Sequence, residues 1–319
     1  MADPRLFELA RMPLHERAVR IAEMFADPEN DAPAALTPAK RRAARREAFR
    51  ERPMAALRRR LAVLGHWLAP RHLFQALVIL SCMARDWATD GGLPSPLACG
   101  QRPMGFCGRA ASLAPDYLIE AVSRGLTLRN FLGAATLWSP PTRAVLRPWD
   151  IPCGVPATLS AAARVSLDES FDDVLLASAR GSIDPWAHPS LDLSLSDLYD
   201  AGFAHSLEIR DPDGQLIAGL IGIAVGGVFT IERLFARDPE ALARGVNHLA
   251  FQLQRWNFAL IDVPTPSELA LRLRCAAMNR AAYAAELAGN GCGGRHGRWR
   301  MSDDLRRPTH LGASLRAAS

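Results

Sequence analysis

The chain has 319 residues, of which 49% are hydrophobic and 22% charged, and its formal net charge is +5. This composition excludes a globally disordered chain, and the length fits one large or two modest domains. No apolar run reaches the roughly 18 residues that cross a bilayer. Residues 1–25 lack the apolar segment of a secretory signal, so we expect a cytoplasmic protein with no membrane partner. Its six cysteines form no C-x-x-C pair, which predicts neither disulfides nor a metal site.

The first 87 residues predict a helical extension. Residues 4–25 carry apolar side chains at helical spacing, and residues 26–37 have the Pro- and Asp-rich composition of a linker. Thr37 and Pro38 then begin a second helix, which ends near Arg50. Two more helices follow, one from Pro53 to about Leu68 and one over residues 71–85.

Arginine is concentrated in this extension. Ten basic and two acidic residues lie between Lys40 and Arg60. Such a block favours polyanions, because arginine contacts to phosphate release counterions. The alternative is a solvated helix face without a ligand.

The next segment, residues 88–150, predicts a small domain. Its Gly-, Pro- and Cys-rich start, Asp90 to Gly108, is typical of a loop. A helix is predicted from Pro115 to Arg124, and a short strand lies within Thr136–Leu146. Several prolines indicate a domain boundary near residue 150.

Strands and helices then alternate, which predicts a mixed α/β domain over residues 151–288. The expected strands are 164–168, His205–Arg210, Gln215–Val225, Val228–Glu232 and Phe258–Val263. The expected helices are 169–179, His188–Ala201, Pro239–Trp256 and 267–288. The Gly- and Arg-rich tail, residues 289–319, is predicted to be mobile.

Four sequence blocks resemble one family. Gly202-Phe-Ala-His-Ser-Leu-Glu-Ile-Arg210 and Leu216-Ile-Ala-Gly-Leu-Ile-Gly-Ile-Ala-Val225 are similar to the centre of the leucyl/phenylalanyl-tRNA–protein transferases. Leu137-Trp-Ser-Pro-Pro-Thr-Arg-Ala-Val-Leu146 resembles that family's W-W-S-P-x-x-R-A-V-L, and Leu260-Ile-Asp262 resembles its L-I-D-C-Q. The resemblance spans about Cys99 to Tyr283. It implies an α/β (α+β) acetyltransferase-like fold, in which helices flank a mixed sheet.

The resemblance also implies an activity. Members of the family move an aminoacyl group from aminoacyl-tRNA to the α-amino group of a protein with a basic N-terminal residue, in the N-degron route of protein degradation. Because the ester is already activated, no metal, nucleotide or other cofactor is implied. The enzyme must hold the ester, help to deprotonate an amine and stabilise an oxyanion.

Site residues follow from matching positions. Glu232 and Asp262 correspond to the family's catalytic carboxylates, and Trp186 to the tryptophan that packs against the terminal adenosine. Trp138 falls in the W-W-S-P block and is a further candidate for substrate binding. The remaining substrate-binding candidates match an apolar pocket for the donor side chain: Phe229, Leu234, Val246, Leu249, Leu253 and Ile261. The residue types alone leave open whether they form a pocket wall or a filled core.

Several positions depart from the family pattern. Pro264 replaces a glutamine that lies beside the reacting amine, and proline offers no side-chain donor or acceptor. Arg233 replaces serine, Arg274 stands where glycine is expected, and Arg129 falls near a second tryptophan. These arginines indicate either a more anionic ligand or drift after loss of catalysis.

Three functions therefore stay open at the level of sequence. The first is an aminoacyl-tRNA-dependent transferase with an altered donor or acceptor. The second is a non-catalytic module that recognises tRNA or protein N-termini. The third, an acyl-CoA-dependent N-acyltransferase, is less favoured, because the segment from Leu234 to Gly245 has no glycine pair to grip pyrophosphate and carries Asp238 and Glu240.

Overall fold

The computed structural model describes residues 38–48, 53–86, 92–97, 99, 102, 105–151, 163–181, 189–264, 267–289 and 295–306. The helices in these ranges are α1 (Pro38–Ala48), α2 (Pro53–Leu68), α3 (Pro70–Asp86), α4 (Pro115–Ser123), α5 (Phe171–Gly181), α6 (Pro189–Asp200), α7 (Pro239–Arg255), α8 (Glu268–Arg272), α9 (Arg280–Gly289) and α10 (Asp303–Arg306). The strands are β1 (Phe106–Arg109), β2 (Thr127–Phe131), β3 (Ala134–Trp138), β4 (Thr142–Leu146), β5 (Arg164–Leu167), β6 (Ala204–Arg210), β7 (Leu216–Val225), β8 (Val228–Ala236), β9 (Leu260–Val263) and β10 (Ala276–Asn279). The predicted helix over residues 4–25 and Trp186 lie outside the described residues.

The chain divides into two units, Met1–Pro141 with Ser182–Ala201, and Thr142–Gly181 with Gly202–Ser319. The division at Pro141 comes before the boundary that the prolines indicated near residue 150. Consequently β4 belongs to the second unit, although β3 and β4 together fill the stretch that the sequence assigned to one strand.

The first unit contains a small antiparallel sheet in the order β1-β3-β2. The sheet packs against α2 and α3 through a cluster of aromatic rings. Trp67 of α2 meets Phe131 of β2 edge-on, with 4.8 Å between ring centroids. Within the sheet, Phe106 of β1 meets Trp138 of β3 at 5.3 Å. Neither β1 nor β2 was predicted. Both are short, and the positive φ angles of Gly105 (79°) and Gly108 (150°) are typical of loops.

Helix α1 carries the first half of the arginine block, from Lys40 to Arg46, and contacts α6 within this unit. Arg42 forms an ion pair with Asp197, and Arg45 forms one with Asp200, each at 2.7 Å. Thus two of the arginines that could bind phosphate hold α1 against an acidic helix instead.

The second unit is built on a seven-stranded sheet in the order β10-β4-β9-β8-β7-β6-β5. Strands β8 and β9 run parallel, and the other neighbours are antiparallel. Helices flank this sheet, which confirms the predicted α/β class with a mixed sheet. The predicted hairpin is β6–β7, joined through Asp211 and Gly214.

The two faces of this sheet carry different helices, since alternate residues of a strand point to opposite faces. Ala144, Leu146 and Ile261 pack with α7, and we call this side the α7 face. Val145, Val228 and Leu260 pack with Tyr283 and Leu287 of α9, which defines the α9 face. Helix α5 contacts the β6, β7 and β8 part of the sheet. There Gly219 makes room for it, since a Cβ on Gly219 would lie 3.1 Å from the Val174 side chain.

The prediction of one helix over residues 267–288 is wrong. Ser267 caps the short helix α8, which ends at Arg272, and Arg274 adopts a left-handed φ of 52°. Ala276–Asn279 then pairs along β4 as an edge strand, so tertiary pairing overrides the high helix propensity of alanine. The helix restarts at α9, where the Asn279 side chain accepts a hydrogen bond from the Ala282 N–H at 2.9 Å.

The expectation of a mobile tail beyond Gly289 is corrected over residues 295–306, which we call the C-terminal strap. Trp299, Met301 and Leu305 of the strap are at most 3% exposed and belong to the α7-face core. The Trp299 ring stacks on His205 at 3.6 Å and 7°, while its backbone N–H donates to Asp168. The strap thus closes the core beside β5 and β6.

Within the described ranges, no single helix is long and apolar enough to cross a membrane. Ala56–Leu68 and His72–Arg85 meet the length and composition criterion only as a pair bent by 99°. Among those same residues, no group of three or more His, Cys, Asp or Glu side chains is placed to hold a metal ion.

Candidate active site

Glu232 lies on a β-bulge in the second unit. The β7–β8 register pairs Ile221 with Arg233 and Gly222 with Ile231, so Glu232 is an extra residue in β8. A bulge breaks the alternation of side chains and can aim a side chain away from the core. Here it leaves the Glu232 side chain partly exposed and close enough to Arg143 to affect its pKa.

Asp262 forms a buried ion pair with Arg143. Arg143 Nη1 donates to Asp262 Oδ2 at 2.5 Å, and the two side chains are 3% and 6% exposed. Burial alone would lower the pKa of Arg143, but Asp262, Tyr283 and Glu232 together raise it above its usual value. The guanidinium therefore stays charged and supplies positive charge beside both carboxylates.

Tyr283 of α9 covers this pair. Its ring lies under the Arg143 guanidinium, 4.1 Å from the charged carbon to the ring centroid. Its hydroxyl is 3.2 Å from the Thr230 hydroxyl, and Thr230 is in register with Asp262. Burial, with the nearby Asp262 charge, raises the pKa of Tyr283, so the phenol remains a hydrogen-bond donor at neutral pH.

Cys275 lies close enough to this cluster for the charge of Asp262 to affect its thiol. Burial, and then the charge of Asp262, raises its pKa to about 11. A thiol with that pKa is protonated at neutral pH and is a poor nucleophile. Covalent catalysis through Cys275 is therefore disfavoured.

The predicted pocket residues lie on the other face of the sheet. Five of them are at most 1% exposed and belong to the α7-face core: Phe229, Val246, Leu249, Leu253 and Ile261. Leu234 is 36% exposed. A Cβ on Gly222 would lie 2.4 Å from the Phe229 ring, which shows how closely this core is packed.

The remaining predicted residues are dispersed. Trp138 is 2% exposed in the first unit, where its indole N–H donates to the Thr136 hydroxyl at 2.8 Å. Arg129 lies on β2 of the same unit. Arg233 follows the bulge and donates to the Glu232 carbonyl at 3.0 Å, while Pro264 directly follows β9. The structure therefore brings Glu232, Asp262 and Arg233 to one part of the molecule.

A cavity of about 910 Å³ lies at the β4–β10 edge, beside α7. Its charged lining residues are Arg147, Arg244, Arg272, Arg274, Asp150 and Glu240. Arg272 is paired with Glu240 and Glu268 at 2.7 Å. The excess of arginine suits an anionic ligand, and Arg274 is the one sequence-predicted site residue in the lining.

Sequence reasoning missed Arg143 and Tyr283. Arg143 stands in the Leu137–Leu146 block that carried the resemblance, and this was an available signal. For Tyr283 the sequence contained no such signal, because its partners Arg143 and Asp262 are far from it in sequence. Only the pairing of β4 with β9 brings these side chains together.

Comparison with known proteins agrees with this arrangement. The family described as leucyl/phenylalanyl-tRNA protein transferase matches residues 156–288. The chain is 33% identical over 211 residues to the leucyl/phenylalanyl-tRNA–protein transferase of Alkalilimnicola ehrlichii, covering 64% of this chain and 82% of that protein. It is 32% identical over 219 residues to the same enzyme of Pseudomonas putida, covering 66% of this chain and 94% of that protein. With the Glu232 bulge and the Arg143–Asp262 pair in a mixed sheet of this kind, the chain belongs to the leucyl/phenylalanyl-tRNA–protein transferase family.

Proposed function

We propose that this protein transfers an aminoacyl group from aminoacyl-tRNA to the α-amino group of a protein or peptide. The observation that carries the proposal is the position of Glu232. Glu232 follows Ile231, which is buried in the α7-face core, and its charge lies close enough to Arg143, which stacks on Tyr283 of the α9 face, to raise the pKa of that guanidinium. The residue is partly exposed, although its Oε1 atom is buried, so a substrate amine would approach the other carboxylate oxygen.

The reaction joins the amine nitrogen to the ester carbonyl carbon, and the bond from that carbon to the ribose oxygen breaks. Glu232 accepts a proton from the attacking amine, and the proton ends on the leaving ribose hydroxyl. Such general-base help contributes roughly 10²–10⁴-fold in rate. Holding ester and amine together supplies much of the rest.

We assign Asp262 and Tyr283 a positioning role. Asp262 is bound to Arg143 and is 5% exposed, so it has little access to a substrate. Tyr283 packs on the guanidinium and fixes its plane. In this arrangement Asp262 orients the Arg143 side chain. Because proline stands at position 264, where the family has a glutamine, Glu232 is the residue left to act as the general base.

The test is a transfer assay with the purified chain, a mixture of charged tRNAs and peptides of different N-termini, read by mass spectrometry. We expect peptides extended by one amino acid. Glu232→Gln should lower the rate about 100-fold or more, with tRNA affinity unchanged, and Asp173→Asn, an exposed acid in the same unit, serves as the control. Wild-type activity in Glu232→Gln would remove Glu232 from the mechanism.

A second candidate, a non-catalytic module that binds tRNA or protein N-termini, also has an observation in its favour. The candidate donor pocket is filled by its own side chains, with Val246, Leu249 and Leu253 fully buried. No product from any charged tRNA, together with saturable tRNA binding, would favour this module over the transferase.

The acyl-CoA alternative is disfavoured by the N-terminus of α7. The Asp238 side chain accepts hydrogen bonds from the Glu240 and Ala241 N–H groups, at 2.9 and 3.0 Å. A pyrophosphate bound at this helix N-terminus would need these same N–H donors, and the Asp238 carboxylate that occupies them is itself negatively charged. We therefore expect no binding of acetyl-CoA in a calorimetric titration, and micromolar affinity would restore the acyl-CoA reading.

A further inference from the structure

The pair α2–α3 exposes an unusual amount of apolar surface. Nine large apolar side chains on these two helices are 39–75% exposed, and we call them the apolar stripe: Met54, Leu57, Leu61, Leu64, Leu68, Leu73, Phe74, Leu77 and Leu80. Their exposed area is on the order of 900 Å², above the largest apolar patch of about 300–600 Å² on a typical monomer. Such a surface marks an interaction site.

The stripe lies away from the core on both helices. On α2 its residues recur at alternating steps of three and four from Met54 to Leu68, so they form one face. That face is about 120° around the axis from Val63 and Trp67, which pack on the small sheet. On α3 the stripe is about 150° from the buried Ala76, Ile79 and Cys82. Both helices thus rest on the core by one side and present the stripe on the other.

The shape of the pair decides between partners. The helices are bent by 99° at the break between them, so the stripe follows two arms of an L. A single straight partner helix can lie along one arm only. A planar layer such as a bilayer surface is not restricted to one direction in this way.

Charge points to the same partner. Residues 53–85 contain five arginines and no acidic residue, and Arg58 and Arg60 are exposed beside the stripe on α2. A second copy would bring these like charges together, which disfavours self-association. An apolar face flanked by arginines is the pattern of helices that lie in the interface of anionic membranes.

From these observations we propose that α2–α3 binds the surface of an anionic lipid bilayer, with the stripe in the acyl boundary and the arginines at the headgroups. Neither helix spans the membrane in this arrangement, but the proposal departs from the expectation, drawn from the sequence, that the protein has no membrane partner. The proposal is independent of the transfer reaction, since it concerns the first unit alone.

The test is co-sedimentation of the full chain with vesicles of equal parts phosphatidylglycerol and phosphatidylcholine, and with phosphatidylcholine alone. We expect binding to the mixed vesicles, and Arg58→Gln with Arg60→Gln should weaken it about fivefold per arginine. The triple variant Leu57→Gln, Leu61→Gln, Leu77→Gln should weaken it at least tenfold. These side chains are exposed, so circular dichroism should show unchanged folding.

The matched control replaces two exposed leucines elsewhere, Leu97→Gln and Leu271→Gln, which are 62% and 80% exposed. This control should bind vesicles like the wild type. The proposal fails if the wild type does not sediment with the mixed vesicles, if phosphatidylcholine alone binds it equally, or if the triple variant binds undiminished. A dimer in sedimentation equilibrium that the triple variant dissociates would instead make the stripe an interface between copies.

Discussion

Removing one partner of the Arg143–Asp262 pair should destabilise the protein strongly. Asp262→Asn leaves the Arg143 guanidinium, only 3% exposed, without the carboxylate that offsets its burial. An uncompensated buried charge costs about 3–5 kcal/mol. For a unit of this size each kcal/mol lowers Tm by roughly 2–4 °C, so we expect a drop of about 10 °C.

The double variant Arg143→Met, Asp262→Asn separates pairing from packing. It removes the buried charge together with its partner, and methionine retains part of the contact with the Tyr283 ring. We therefore expect it to be more stable than Asp262→Asn, by at least about 1.5 kcal/mol, because it leaves no buried charge without a partner. Urea denaturation followed by tryptophan fluorescence measures the stability of both variants and of the control described next.

An exposed ion pair provides the control. Asp173 pairs with Arg210 at 3.1 Å, but its side chain is 61% exposed, so Asp173→Asn should cost less than about 1 kcal/mol. If Asp262→Asn costs no more than Asp173→Asn, the pair is not the buried element described above. If the double variant is the least stable of the three, the argument from an uncompensated charge is wrong.

Three further outcomes are expected. Trp299→Ala should lower the free energy of unfolding by about 3–5 kcal/mol in urea denaturation, because it empties the core under the strap; a loss below about 1 kcal/mol would contradict this. Arg274→Gly should raise the free energy of unfolding by about 1 kcal/mol, because Arg274 has a φ of 52°. The same change should weaken tRNA binding in a filter assay. A lower free energy of unfolding would show that the backbone at Arg274 is not strained. Burial lowers the pKa of His248, so stability should fall as pH drops below 6.5, by at most about 1.4 kcal/mol per pH unit relative to His248→Gln; parallel pH profiles of the two proteins would exclude this.

The central strands and the long helix were predictable because their signals are local. The β6–β7 hairpin has alternating apolar residues on both sides of a turn that contains Gly214, and α7 has an apolar stripe with a capping residue, Asp238. Each pattern needs only neighbouring residues. The order of these elements, together with the family blocks, was enough to predict the mixed sheet.

Edge pairing was not predictable from local signals. Ala276–Asn279 has the composition of a helix, and it becomes a strand because β4 offers an unpaired edge more than 100 residues earlier in the chain. The same strand β4 brings Arg143 to Asp262, two residues separated by 119 positions. Matching positions predicted Glu232 and Asp262, but the bulge at Glu232 depends on the β7–β8 register.

The C-terminal strap has a consequence for synthesis of the chain. Domains generally fold during translation as their segments emerge. The core of the second unit, however, lacks Trp299, Met301 and Leu305 until those last-made residues leave the ribosome, although its first strand begins at Thr142. A nascent chain stopped at Gly289 would hold the whole seven-stranded sheet yet present His205 and Phe229 without their covering ring. Incomplete products would therefore expose this part of the second unit's core to the quality-control machinery, whereas chains that include the strap cover it.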